Sequence, residues 1–221
     1  MAVTGLIMIG FLLMHMYGNL KMFMGPEAFN HYAHWLKFDP HAEGGSADVI
    51  LYPLIPNGWF IWIFRSALVL SVILHIWSAY TLSMETRRNR GTKYVNSQKK
   101  VQTYSSRTMR WGGIIVAAFL IFHLIQFTIV PGSVSGGTGD EPHTMVLAAF
   151  ELWWMVVLYA VCMVLICMHI RHGFWSAFTT LGGNTSAKAA SVLNLLAIIV
   201  AVVLFVGFMI MPLAVLFGVG I

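Results

Sequence analysis

The stretch GWFIWIFRSALVLSVILHIWSAYTLSM, residues 58–84, decides the architecture. It holds a single full charge, Arg65, and a single histidine, His75, within an otherwise apolar or small-residue run. As a helix at 1.5 Å per residue such a run is about 40 Å long, more than the roughly 30 Å of a bilayer's hydrocarbon core. Four further runs of the same kind lie around it, at about residues 1–22, 110–131, 143–181 and 189–219. Within the fourth, the apolar part reaches His172, and Phe174, Trp175 and Phe178 extend it until Gly182-Gly183-Asn184 stops it.

Composition supports the same conclusion. Of 221 residues, 58% are hydrophobic and 10% charged, with a mean hydropathy of +0.78, too little polar surface for a soluble fold to cover itself. The expectation is an all-α integral membrane protein of five transmembrane helices, one membrane domain over residues 1–221, with no separate soluble domain. The first run lacks the basic lead-in and small-residue cleavage site of a secretory signal, so it reads as a retained helix.

The basic residues are clustered. Arg87, Arg88, Arg90, Lys93, Lys99, Lys100, Arg107 and Arg110 all fall on or beside the connection 85–109, which the positive-inside rule places in the cytoplasm. The opposite connections carry Glu27, Asp39, Glu43, Asp48, Asp140 and Glu141, with Lys21 and Lys37 as their basic residues. The N-terminus is then inside and the C-terminus outside. This distribution explains the net charge of +5 without nucleic acid, and it serves either as an orientation signal or as a docking face for a cytoplasmic partner. The outer connection 25–57 is long enough to fold as a cap, and Pro26 followed by Glu27 and a Phe29, Tyr32, Trp35, Leu36 periodicity predicts a short helix over 26–37. Cys162 and Cys167, about 140° apart on a helical wheel, cannot pair and read as small buried apolar residues.

Four histidines, His15, His75, His123 and His169, each occupy a different one of the first four runs. Helix direction sorts them. On the outward-running first and third helices, His15 lies ten residues before Gly25 and His123 eight before Pro131, about 12 to 15 Å below the outer ends. On the inward-running second and fourth helices, His75 lies twelve residues before Arg87 and His169 thirteen before Gly182, about 18 to 20 Å from the inner ends. His15 therefore matches His123, and His75 matches His169. Each pair comes from diagonal positions of a four-helix bundle, the arrangement that supplies two axial imidazoles to each of two haem b groups stacked across the membrane.

Other uses of these residues stay open. Buried histidines also serve proton or metal transporters, or line a quinone pocket in a haem-free anchor, and a single intramembrane histidine can be a hydrogen-bonded core residue. His172, three residues beyond His169 on the same face, rivals it as ligand or reaches a propionate or quinone. His31, His34, His41 and His143 read as solvated or interfacial. Ser71 and Ser78 flank His75, and Gly112 with Gly113 leave room on the third helix; small residues also let membrane helices approach closely. Arg65 needs an anion at depth, either a haem propionate or Glu151. Arg107 and Arg110 face inner propionates or snorkel to lipid phosphate.

Several stretches resemble the single-chain, five-helix, dihaem cytochrome b anchor subunit of succinate dehydrogenases and fumarate reductases: GPEAFN (25–30), FRSAL (64–68), LHIWSA (74–79), SRTMRW (106–111), FHL (122–124) and HIRHGFWSAF (169–178), the last running on to TLG (180–182). The resemblance spans almost the whole chain and is most specific in the final stretch. It implies a bacterial cytoplasmic (inner) membrane protein that anchors a flavoprotein and an iron-sulfur subunit on the cytoplasmic side. There it passes electrons between succinate oxidation, a tricarboxylic acid cycle step, and a membrane quinone, with menaquinone expected; higher oligomers of the complex are compatible with this. Matched residue by residue, the family's iron ligands fall on His15, His75, His123 and His169, and His169 is favoured over His172 because it precedes the helical glycine, Gly173, by four positions. The acidic quinone-site residue of some members has Glu43 and Asp48 as candidates. Two departures stand out: Cys167 occupies the place of a glutamate implicated in proton movement, and the leader that usually precedes the first helix is missing, which implies a shortened chain.

Overall fold

The computed structural model describes residues 1–37, 59–89, 104–134 and 141–220. All regular structure among them is helical: α1 (Ala2–Leu20), continued by a 3-10 turn (Lys21–Met24), α2 (Pro26–Lys37), α3 (Trp59–Arg88), α4 (Tyr104–Leu124), continued by a π-helical turn (Ile125–Ile129), α5 (Pro142–Phe150), α6 (Trp153–Thr180) and α7 (Ala187–Phe217). Five of these units are long and apolar enough to cross a membrane: Ala2–Met24, Trp59–Thr86, Trp111–Ile129, Trp153–Thr180 and Ala187–Phe217. The chain is an all-α, multi-pass membrane protein.

The fourth expected helix is two. Its hydropathy runs unbroken, but Leu152 is extended (φ −82°, ψ 106°), so the chain breaks at Glu151-Leu152 and separates α5 from the spanning α6. Glu141 and Pro142 open α5, proline at the first turn having no N–H to leave unpaired. At the far end of α6, Gly183 N–H bonds Phe178 C=O (2.8 Å) and Gly182 N–H bonds Thr179 C=O (3.2 Å). That pattern closes the helix through a residue at φ +87°, which glycine adopts without strain. Ser186 then caps α7, its Oγ accepting from Ala189 N–H at 3.1 Å.

α6 is the hub, packing on α7, α4 and α1, while α1 also holds α3 and α7. The first four spans therefore do not enclose a bundle by themselves; the fifth is part of it. The stripe Ala197, Ala201, Leu204, Met211 and Val215 on α7 is buried, its small residues allowing close approach. On that helix Gly207 lies so close to the Met16 side chain of α1 that a methyl group there would overlap Met16 Sδ and Cγ. α3, by contrast, rests mainly on α1 and turns Val69, Leu70, Ile73, Trp77 and Tyr80 outward.

The helix foreseen over 26–37 forms and folds back on α1, where the Tyr32 ring fills the space beside Gly18. Gly25, at φ +95°, makes the reversal. Lys21 Nζ lies 5.5 and 5.2 Å from the Tyr17 and Tyr32 ring centres, a cation over aromatic faces. Burial, with the Tyr17 phenol nearby, pushes the Tyr32 hydroxyl above its ordinary range. α5 joins this cap, since Asn30 Oδ1 accepts from His143 N–H at 3.0 Å and Phe29 meets the His143 ring edge-on at 6.4 Å. His143 is thus buried at a helix junction rather than solvated.

Candidate functional site: two histidine pairs

α1 and α4 bring His15 and His123 together, their ring centroids 5.9 Å apart and their planes at 79°. α3 and α6 bring His75 and His169 together at 6.3 Å and 59°. The pairs are the two that depth alone matches. Their vertical separation can be read from two helices independently. On α1, Gly5 lies beside His75, 3.5 Å from Cε1 to an ideal Cβ position, and His15 is ten residues further. On α4, Gly113 lies beside His169 at 3.6 Å, and His123 is again ten residues further. Ten residues of α-helix rise about 15 Å. The two pairs thus stand one above the other, and at the lower level a glycine of α1 and one of α4 adjoin the rings.

The surroundings of the upper pair are aromatic. Phe11 stacks on His15 (5.3 Å, 13°), Phe208 of α7 approaches it (5.8 Å), and Phe119 and Phe127 flank His123 (6.0 and 5.3 Å). Two polar groups break that apolar lining. Tyr159 of α6 donates its hydroxyl proton to Gln126 Oε1 at 2.7 Å, and His123 Nδ1 lies 3.0 Å from the same Tyr159 oxygen. With the phenol proton engaged, that oxygen accepts, so the imidazole proton sits on Nδ1 and the Nε2 lone pair is left open. Gln126 is only 1% exposed and lies in the π-helical turn that begins two residues after His123.

The lower pair has a similar device. Thr4 Oγ donates to Met1 C=O at 3.0 Å and lies 3.3 Å from His75 Nδ1, which again assigns the ring proton to Nδ1. His169 Nδ1 is buried with no hydrogen-bond partner among the described residues. Thr4, Gly5, Gln126, Tyr159 and Phe208 were absent from the residues singled out in the sequence. Gln126 had a signal, a polar side chain three places after a histidine in an apolar run and so on the same helix face.

Other expected site residues are distributed as follows. His172 is partly exposed with its ring toward Trp175 (6.5 Å), and it is His169 that meets His75. The Arg65 guanidinium lies over the Trp62 ring at 5.5 Å. No ion pair joins Arg65 to Glu151 among the described residues; the break at Leu152 leaves Glu151 exposed outside α6. Ser71 is buried on α3, and Ser78 Oγ donates to its own helix at Leu74 C=O (2.7 Å). Gly112 has open space beside it. Cys162 and Cys167 are buried free thiols, as expected. Arg107 and Arg110 belong to the first turns of α4, and Glu43, Asp48, His41 and the centre of the basic connection lie outside the described residues.

No protein-family model, curated protein or solved structure matches the chain.

Whether the residues present suit haem can be tested on the pairs themselves. Two imidazoles facing across one metal ion, each nitrogen about 2 Å from it, place their ring centres roughly 6 Å apart. Both pairs have that separation. In each, at least one ring has its Nδ1 proton held by a neighbouring oxygen, the outer-shell arrangement that orients a ligating histidine. The donor set fits the group.

Proposed function

We propose that the chain is a dihaem cytochrome b membrane anchor of a succinate:quinone oxidoreductase, with His15 and His123 holding the outer haem b and His75 and His169 the inner one. The observation that carries this reading is the pair of facing imidazoles at each of two levels, 5.9 and 6.3 Å between ring centres. Haem at these positions supplies one-electron redox chemistry between a partner's iron-sulfur cluster and a membrane quinone, menaquinone in the reading favoured by the sequence motifs. The chain's own contribution is to fix the ligands on four spans, keep Phe11, Phe119, Phe127 and Phe208 around the outer rings, and orient His75 and His123 through Thr4 and Tyr159.

The succinate part of the proposal rests on the motifs from GPEAFN (25–30) to HIRHGFWSAF (169–178), and on the basic connection, which suits docking of flavoprotein and iron-sulfur subunits at the cytoplasmic face of a bacterial inner membrane. A reduced-minus-oxidised spectrum of membranes containing the complex tests it. The expected result is low-spin b-type bands that vanish in a quadruple variant lacking all four histidines. Unchanged membranes without such bands contradict the proposal, as a histidine relay for protons or metal ions requires no haem.

A further inference from the structure

On the outer side of the His15–His123 pair lies a buried polar chain that the four-histidine pattern does not call for. It runs from His123 Nδ1 to Tyr159 Oη (3.0 Å) and from Tyr159 Oη–H to Gln126 Oε1 (2.7 Å), with Gln126 Nε2 reaching Met155 Sδ at 3.8 Å. Around it are Phe119, Phe122 and Phe150, whose rings lie 5.0, 6.5 and 4.9 Å from that of Tyr159. A phenol and an amide inside an apolar shell cost free energy unless each is hydrogen-bonded, and here each bond also fixes the next. Among the described residues the inner pair has no such chain: His75 meets a threonine at the start of α1, and His169 Nδ1 has no partner.

We infer that Tyr159, with its proton committed to Gln126, is a positioning residue that sets the donor strength of His123 and so holds the outer haem at a lower reduction potential than an apolar neighbour would. The inference rests on the haem reading above and adds to it a control element for one site. The physical route is direct. An imidazole whose Nδ1–H donates to an oxygen gains basicity at Nε2, and a more basic axial ligand favours the ferric over the ferrous iron. Gln126 acts one bond further out. By accepting the phenol proton it polarises Tyr159 Oη and so strengthens its acceptance from Nδ1–H. Gln126 lies in the π-helical turn just beyond the ligand on the same helix, three residues after His123 and so on the same face.

The test uses the purified complex, with haem content and a redox titration of each b-type centre in Tyr159→Phe and Gln126→Leu. Tyr159→Phe keeps the ring and its aromatic contacts and removes only the hydroxyl. The expected result is two haems retained and a roughly tenfold loss of ferric preference at the outer centre alone, an upward shift of about 59 mV for one electron. Gln126→Leu should shift the same centre in the same direction, and the double variant should shift it no further than Tyr159→Phe, since both act through one bond. Two haems with unchanged potentials in Tyr159→Phe overturn the inference and leave the haem reading standing. An equal shift at both centres also overturns it. Wild-type complex without b-type centres overturns the haem reading instead.

Discussion

The four ligand candidates differ in what surrounds them, and that difference has consequences at the level of single residues. His169 and His172 share a helix face, yet only His169 meets His75, while His172 turns toward Trp175 nearer the end of α6. On the proposed reading, His172→Ala keeps both haems and His169→Ala loses the inner one; absorption spectra with haem quantification distinguish the two variants, and loss of a haem in His172→Ala alone would reverse the assignment. The histidines were legible in the sequence because an ionisable residue in a membrane span is rare and costly. Tyr159 was not, because tyrosine among Trp153, Trp154 and Leu158 reads as one more aromatic in an apolar run, and only its contact with Gln126 from another helix gives it a role. Arg65 was legible as a charge needing a partner, whereas its position over Trp62 depends on a rotamer that sequence does not specify.

At the level of elements, the spans and the short helix α2 followed from hydropathy and from proline at a first turn, but the break between α5 and α6 did not. Residues 145–168 are apolar apart from Glu151, and the extended backbone of Leu152 comes with docking of α5 on α2 and α7, a tertiary effect. The role of α7 was equally hidden, since small residues in a lipid-soluble helix signal a packing face without naming the partner. Gly207 is the sharpest instance. Substituting alanine there drives a methyl group into Met16, next to His15, so Gly207→Ala should destabilise the bundle by about 1 to 3 kcal/mol, as overpacking does. Thermal unfolding of the purified protein measures this, and Met16→Ala in the same chain should restore most of the loss. A Gly207→Ala variant as stable as wild type would contradict the close α1–α7 contact.

Over the whole molecule, one geometry recurs: ten residues separate the two levels on α1 (Gly5 to His15), on α4 (Gly113 to His123) and on α6 (Tyr159 to His169). Three spans therefore repeat a rise of about 15 Å, and the fold works as a ruler that holds two sites at fixed spacing across the membrane. Helix direction made this legible from histidine positions alone and Gly113 was legible as a small residue on the third span, whereas Gly5 and Tyr159 required the packed structure. If each level is an independent two-histidine site, haem stoichiometry reveals it. Purified complex should contain two b-type haems per chain, and His15→Ala should contain one, with the inner centre spectrally unchanged. A His15→Ala protein that keeps both haems, or loses both while remaining folded, would contradict the account.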